Sequence, residues 1–262
     1  MGTMLKGQQT ADFVVTLKTL PVKAAVSALG NKILEELQKI DATTPYHVQF
    51  RDDFLELINI YSHDKVKVHI ATMAENIRKL DNDIHVKRSH VARNLEAIKH
   101  ARWYDEVVKP YPNVANLLRL MKDVVCRFQD FSDFTPWMIT VVCHYCMTRT
   151  SDGNALSLPS AFKRTLQLLS GGIFLPYSAG INDPLEPRMP VHGRLPVQAQ
   201  ERLTATAQTL FRVFNYPLGV NYLLGLKPLP ANVGNVFELP TEWDGVQVSP
   251  SISVFSSKPQ SK

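Results

Sequence analysis

The chain has 262 residues, 45% of them hydrophobic, which is enough to bury the core of one large domain or of two smaller lobes. Its 29 basic and 24 acidic residues give a net charge of +5, a mild excess that permits a polyanionic partner but excludes a histone-like binder. No apolar run is long enough to span a bilayer and no signal peptide opens the chain, so we expect a soluble intracellular protein with no membrane partner.

The first segment of the chain predicts a strand followed by a helix. Residues 11–18 are rich in β-branched side chains, and the apolar run at 13–15 predicts a strand that is buried on both faces. Residues 22–40 repeat apolar side chains at helical spacing, which predicts a helix. Gly30 inside this helix is expected to cost about 1 kcal/mol relative to alanine.

Two further strands are predicted to pair as a hairpin. Residues 54–60 alternate with both faces partly apolar, and residues 65–70 alternate cleanly between apolar and polar side chains. Residues 62–64 between them are typical of a turn, so the pair predicts a hairpin with one solvent-facing side. The first lobe, residues 1–85, is therefore predicted to run strand, helix, strand, strand.

The remaining chain shows almost only helical periodicity, and residues 86–230 are predicted to form a helical lobe. Residues 137–147 are apolar nearly all round, which predicts a buried central helix, whereas residues 184–196 contain four prolines and predict a loop. Residues 231–262 are interpreted as a C-terminal extension with a disordered end. Apolar stripes predict four further helices, around residues 91–98, 117–128, 162–169 and 203–214.

The first strand carries one carboxylate. Two-metal phosphoryl transfer needs two acids at positions i and i+2 of one strand, because alternate residues share a face and can hold the same pair of ions. Asp12 is the only acid of its strand, Val14 occupies the i+2 position, and residues 65–70 contribute no acid. We therefore expect no catalytic residues and no bound metal, with Asp12 as the remnant of a nucleotide or metal pocket or a hydrogen-bonded acid at the strand edge.

Two short motifs have structural explanations. Asp81 and Asp83 form an Asp-x-Asp in a polar stretch, where a turn or helix cap is favoured over a metal site. Cys143 and Cys146 form a Cys-x-x-Cys inside an apolar helix without a second ligand pair, which favours buried structural thiols. Cys126 is the third cysteine, and all three are expected to be reduced.

Basic residues concentrate between residues 78 and 102, where they outnumber acids seven to three. Such a cluster can contact phosphates without reading sequence, and it can equally be a solvated helix face. The nucleic-acid candidates in this cluster are Lys87, Arg88, Arg93, Lys99 and Arg102.

Several stretches together resemble the DZF family. The blocks that carry the resemblance are residues 28–32 (ALGNK), 76–81 (NIRKLD), 98–104 (IKHARWY), 118–123 (LRLMKD), 136–145 and, most specifically, 168–184. The ending at 243–250 (WDGVQVSP) resembles the smaller subunit of a nuclear heterodimer within that family. The similarity extends over nearly the whole chain.

The resemblance implies an α+β fold of the nucleotidyltransferase type, similar to poly(A) polymerase and oligoadenylate synthetase, with a small mixed lobe followed by an all-helical lobe. It implies a nuclear protein that heterodimerises, through unassigned residues of the helical lobe, with a larger DZF partner carrying double-stranded RNA-binding domains. Roles in RNA processing and transcription regulation, with RNA and DNA bound through the complex, follow from the same resemblance. No cofactor is expected beyond non-catalytic nucleotide binding.

Two alternatives remain beside this inactive subunit: an active template-free nucleotidyltransferase, and an autonomous RNA-binding module. Compared with relatives, the chain leaves no room before Asp12 for the family's preceding Gly-Ser motif, strand and helix. The first lobe is therefore expected to be N-terminally short, as in a fragment or an alternative product.

Overall fold

The computed structural model describes residues 3–51, 54–226, 241–243 and 246–248. The chain divides into two compact units, a sheet unit of Lys6–Trp103 and a helical unit of Met1–Leu5 with Tyr104–Lys262. A sheet followed by helices is the predicted order, and the α+β prediction is confirmed.

The described residues of the sheet unit form four strands and two α-helices. Its elements are β1 (Thr10–Leu17), α1 (Lys23–Ile40), β2 (Tyr46–Phe50), β3 (Phe54–Asn59), β4 (Lys65–Thr72), a 3-10 helix (Ala74–Lys79) and α2 (Arg88–Trp103). The strand order is β1-β4-β3-β2, with β1 parallel to β4 and the other neighbours antiparallel. The predicted hairpin is β3 and β4, whereas β2 was not predicted from the sequence.

One face of the sheet packs against the helices. Alternation along each strand gathers apolar side chains on this face. Asn94 of α2 fixes the helix to the sheet, because its buried side-chain amide donates to the Ile70 carbonyl oxygen over 2.8 Å. The core of the unit consists of Val26, Leu55, Leu57, Val68, Ile70, Leu80, Val86 and Val91.

The boundary between the units differs from the one expected from the sequence. The expected first lobe ended at residue 85, but the sheet unit extends through α2 to Trp103. The reason is packing: α2 lies on β4, and its residue Val91 is completely buried in the core of the sheet unit. Helical periodicity alone does not reveal which core a helix covers.

Strand β1 lies at an edge of the described sheet, and the prediction that it is buried on both faces is wrong. Phe13 is 58% exposed and Val15 is 38% exposed. An apolar run is typical of a central strand, but a strand with one neighbour is covered less completely. The described chain therefore presents an apolar strand edge.

The described part of the helical unit contains the remaining α-helices and strands. They are α3 (Pro112–Arg127), α4 (Pro136–Thr148), α5 (Leu158–Ser170), α6 (Val197–Asn215), α7 (Gly219–Leu223) and an antiparallel hairpin of β5 (Thr241–Trp243) and β6 (Val246–Val248). The predicted central helix is confirmed as α4, in which Val142 and Met147 are completely buried. Thr135 caps it, since its hydroxyl accepts a hydrogen bond from the Met138 amide.

A long irregular segment joins α5 to α6, and it includes the predicted loop at 184–196. The Trp137 indole of α4 donates to the Asp183 carboxylate over 2.7 Å, and the same carboxylate accepts from the Leu185 amide over 2.8 Å. These bonds attach the loop to the buried helix. Among the described residues, none of the helices combines the length and the hydropathy that a bilayer span requires. The predicted C-terminal disorder falls after residue 250, outside the described residues.

Candidate functional site

The side of the sheet opposite the helices carries a row of charged residues. Strand register places Asp12 of β1 beside Lys67 of β4, and Lys67 beside Glu56 of β3. Directly paired residues on neighbouring strands point to the same face. Acid, base and acid therefore alternate across three strands, on what we call the polar sheet face.

A second row runs beside the first. Register pairs Val14 with His69 and His69 with Phe54. The rings of Phe54 and His69 lie 5.3 Å apart between centroids, and the Lys67 ammonium lies 5.1 Å from the centre of the Phe54 ring. One aromatic side chain is thus in contact range of both basic groups.

The two carboxylates described on the polar sheet face, Asp12 and Glu56, have basic partners. His69 Nε2 lies 2.9 Å from Asp12 Oδ1. Arg51 Nε donates to Glu56 Oε2 over 3.3 Å. The Glu56 side chain is only 10% exposed, whereas the Asp12 side chain is 62% exposed. The sequence prediction identified Asp12 but not Glu56, although alternation in 54–60 places Glu56 on the side of β3 that pairs with Lys67.

Among the described residues, the side chains next to Asp12 differ from the ligands of a two-metal centre. A divalent ion requires several oxygen ligands, but the i+2 position is Val14 and the adjacent strand presents Lys67 and His69. Within the described residues, no three His, Cys, Asp or Glu side chains are placed to hold a metal ion. The Asp12 carboxylate is instead joined to an imidazole.

The predicted basic cluster is not one surface. Arg88 donates to the carbonyl oxygens of Arg78 and Leu80, at 3.3 and 3.2 Å, so it holds the preceding 3-10 helix in place. Arg93 and Lys99 are both exposed, but six residues of α-helix place them roughly 120° apart around α2. Lys87 and Arg102 are also exposed. A role for these residues in nucleic-acid binding stays a prediction.

The Asp-x-Asp is a turn, as predicted. The Asp81 carboxylate accepts from the Asp83 amide over 2.9 Å, and the intervening Asn82 side chain accepts from the Arg88 amide over 3.1 Å. Lys23 of α1 closes the turn by donating to the Asn82 carbonyl oxygen over 2.7 Å. These contacts explain the polar composition of the segment without a metal.

The Cys-x-x-Cys thiols are buried inside α4. Desolvation raises the pKa of Cys143 well above its usual value and raises the pKa of Cys146 to about 11. Both side chains have no exposed surface, while Cys126 on α3 is exposed. The prediction that these thiols are buried is confirmed by their lack of exposed surface, and burial disfavours the thiolate form that acts as a nucleophile.

Two family models together match most of the chain. The DZF N-terminal domain matches residues 1–109, and the DZF C-terminal domain matches residues 113–249. These ranges meet a few residues beyond the boundary between the two compact units, which follows Trp103.

Solved structures with a similar fold are nucleotidyltransferases. The CdnC protein of E. coli MS115-1 with ATP superposes with a TM-score of 0.52 at 13% identity, covering 86% of this chain and 80% of that chain. CdnC in complex with HORMA-deltaN gives the same score and identity, covering 86% and 79%. The Cid1 poly(U) polymerase with Mg and 3'-dATP gives a TM-score of 0.49 at 14% identity, covering 85% and 82%. At 13% identity the similarity to CdnC shows the fold alone.

Proposed function

The chain belongs to the DZF family, and we propose that it is a catalytically inactive nucleotidyltransferase-like subunit that heterodimerises with a larger, double-stranded-RNA-binding DZF protein. In this proposal the complex is nuclear, binds RNA and DNA, and acts in RNA processing and transcription regulation. The single observation that carries the inactive state is the replacement of metal ligands around Asp12 by Val14, Lys67 and His69.

The electrostatics of that replacement support the proposal. Two magnesium ions bring four positive charges, and a catalytic face balances them with acidic ligands. Here Lys67 is the cross-strand neighbour of both Asp12 and Glu56. A lysine on the strand next to each acid disfavours a divalent cation by like-charge repulsion. Nucleotide binding without chemistry is compatible with this arrangement and forms part of the proposal.

Exposed apolar side chains of the helical unit support the heterodimer. Tyr177 projects fully into solvent, and Leu185 and Met189 of the same irregular segment are also exposed. The Tyr177 backbone has a φ of 65°, a conformation that is unfavourable for a side chain of this size. Exposed aromatic anchors are typical of protein interfaces, so this segment is the proposed dimerisation surface.

Co-expression with a larger DZF protein tests the heterodimer. We expect a 1:1 complex by size-exclusion chromatography with light scattering, and we expect Tyr177→Ser to weaken it by about tenfold or more, as for an interface anchor. Lys39→Ala, which alters an exposed residue of the sheet unit, is the matched control. A chain that stays monomeric beside every DZF partner would refute the proposal.

The rival function, an active nucleotidyltransferase, makes the opposite prediction. The Asp12–His69 pair is the observation that favours it, because an acid next to an imidazole is a common catalytic arrangement. Incubation with magnesium, nucleoside triphosphates and an RNA primer decides between the two. We expect no primer extension. Extension that is lost in Asp12→Ala and retained in Asp81→Ala would establish the enzyme.

A further inference from the structure

The polar sheet face carries a row of basic side chains along β4. Lys65, Lys67 and His69 occupy alternate positions, so they share one face at intervals of about 6.6 Å. Lys65 is exposed, and Lys67 and His69 are half-buried. Arg51 extends the basic surface onto the β2 side, where its side chain is 51% exposed. A straight row of evenly spaced cations has the geometry that a linear polyanion requires.

The acidic residues of this face do not neutralise the charge of the two lysines in the row. Asp12 is joined to His69, and Glu56 is joined to Arg51. Lys65 and Lys67 form no ion pair with any described residue. Two lysines therefore remain available to an external anion on a face whose described residues include three fixed cations and two carboxylates.

An aromatic ring lies among these cations. Phe54 is half-buried, and its ring is 5.3 Å from that of His69 and 5.1 Å from the Lys67 ammonium. Bases of an unpaired strand stack on such rings, whereas the bases of a duplex are already stacked on each other. Cations in a line beside a partly exposed ring thus favour a single strand over a duplex.

We propose that the polar sheet face binds single-stranded RNA, with Lys65 and Lys67 contacting successive phosphates and Phe54 stacking against a base. No divalent metal takes part, because the lysines supply the positive charge. This inference rests on the RNA binding of the proposed function and names a surface for it. Its failure is distinguishable from failure of the subunit role, since a heterodimer can form whether or not this face binds RNA.

Fluorescence anisotropy of the purified 262-residue chain with a labelled oligouridylate of about 12 nucleotides, in EDTA, tests the proposal. We expect binding that weakens with salt. Lys65→Ala and Lys67→Ala should each reduce the slope of log K against log salt by about 0.7, the value for one phosphate contact on a single strand. Phe54→Leu, which keeps the apolar packing, should lower the affinity about fivefold or more without changing the slope.

Matched variants separate this site from a general effect of charge. Lys39→Ala changes the net charge equally but lies on α1, and it should leave the slope unchanged. Lys67→Arg keeps the charge and should bind as the unaltered chain does, while thermal melting verifies that each variant is folded. Equal slopes for Lys65→Ala, Lys67→Ala and the unaltered chain would overturn the proposal.

Three further outcomes count against the site as proposed. If Arg93→Ala or Lys99→Ala reduced the salt slope as much as the lysine variants of β4, the RNA interface would lie on α2. Competition by a free nucleoside triphosphate at the same phosphate concentration as the oligonucleotide would indicate a phosphate pocket and not a strand-binding face. Equal affinity for duplex RNA would exclude stacking. None of these outcomes bears on heterodimerisation, which is measured separately.

Discussion

At the scale of single residues, His192 of the helical unit is buried next to an aromatic ring. Its imidazole stacks on Phe174 with centroids 4.9 Å apart and an interplanar angle of 27°. Its Nδ1 atom has no hydrogen-bond partner among the described residues, and burial lowers the pKa of His192 below its usual value. Gly180 makes room for the ring, since a Cβ there would lie 3.0 Å from the His192 Cε1 atom.

This burial predicts a loss of stability in mild acid. In the unfolded chain His192 takes up a proton near its ordinary pKa of 6.5, but in the folded chain it stays neutral to a lower pH. The unfolded state therefore binds more protons, and the free energy of unfolding falls as the pH drops below about 6.5. Urea unfolding at about pH 7.5 and about pH 5.5 measures the effect.

His192→Gln should reduce this pH dependence because it removes the titrating group. Burial also lowers the pKa of His144, so His144→Gln should remove a further part of the pH dependence of the free energy of unfolding. His47→Gln, at an exposed position of β2, is the control and should leave the pH dependence unchanged. A pH dependence that is identical in all three variants would contradict the assignment to buried imidazoles.

At the scale of elements, α1 packs closely against the sheet at Gly30. A Cβ at this position would lie 3.0 Å from side-chain atoms of both Leu55 and Val48. Leu55 is completely buried, so it has no free volume into which it can move. The sequence-based cost of about 1 kcal/mol for Gly30 is therefore offset by the close packing that its missing side chain permits.

Substitution at this contact should destabilise the sheet unit. Gly30→Val places two methyl groups against Leu55 and Val48, and we expect it to lower the free energy of unfolding by about 1–3 kcal/mol. Ala28→Val, at an exposed position of the same helix, should cost no more than about 0.7 kcal/mol. Chemical denaturation measures both, and equal effects would show that the contact is not tight.

The elements also show how far sequence reasoning reaches. Local periodicity predicted α1, β3, β4 and α4, because each repeats over enough residues to set its own pattern. Strand β2 was not predicted, because its five residues contain only a short alternation of apolar and polar side chains. The pairing of Lys67 with Glu56 follows from a hairpin and could be predicted from the sequence. The Asp12–His69 contact depends on a parallel pairing between strands more than 50 residues apart. No local pattern specifies that pairing.

At the scale of the whole molecule, the chain divides into two compact units. Helix α2 belongs to the sheet unit, and a π-helical turn at Tyr104–Val108 follows it where the units divide. The family models meet in the same region of the chain. Composition and order were enough to predict a mixed unit followed by a helical one, but the boundary required knowledge of which core each helix covers.

The exposed edge of β1 leads us to expect association between copies of the chain at high concentration. A strand edge with exposed apolar side chains is a template for intermolecular pairing, which natural proteins commonly prevent with charged residues. We expect Val15→Lys to reduce concentration-dependent light scattering while leaving the far-UV circular dichroism unchanged. Thr16→Lys, on the opposite side of the same strand, tests whether added charge alone is sufficient. Unchanged scattering in Val15→Lys would show that the edge does not drive association.

The exposed edge of β1 in the described sheet also affects the solubility of the protein. We expect dilution to reduce association through this edge. A short extended peptide or a binding partner that pairs with β1 should have the same effect, independently of RNA binding and of the helical unit. Phe13 would then serve as a reporter: replaced by tryptophan, its fluorescence should shift to the blue when the edge is covered.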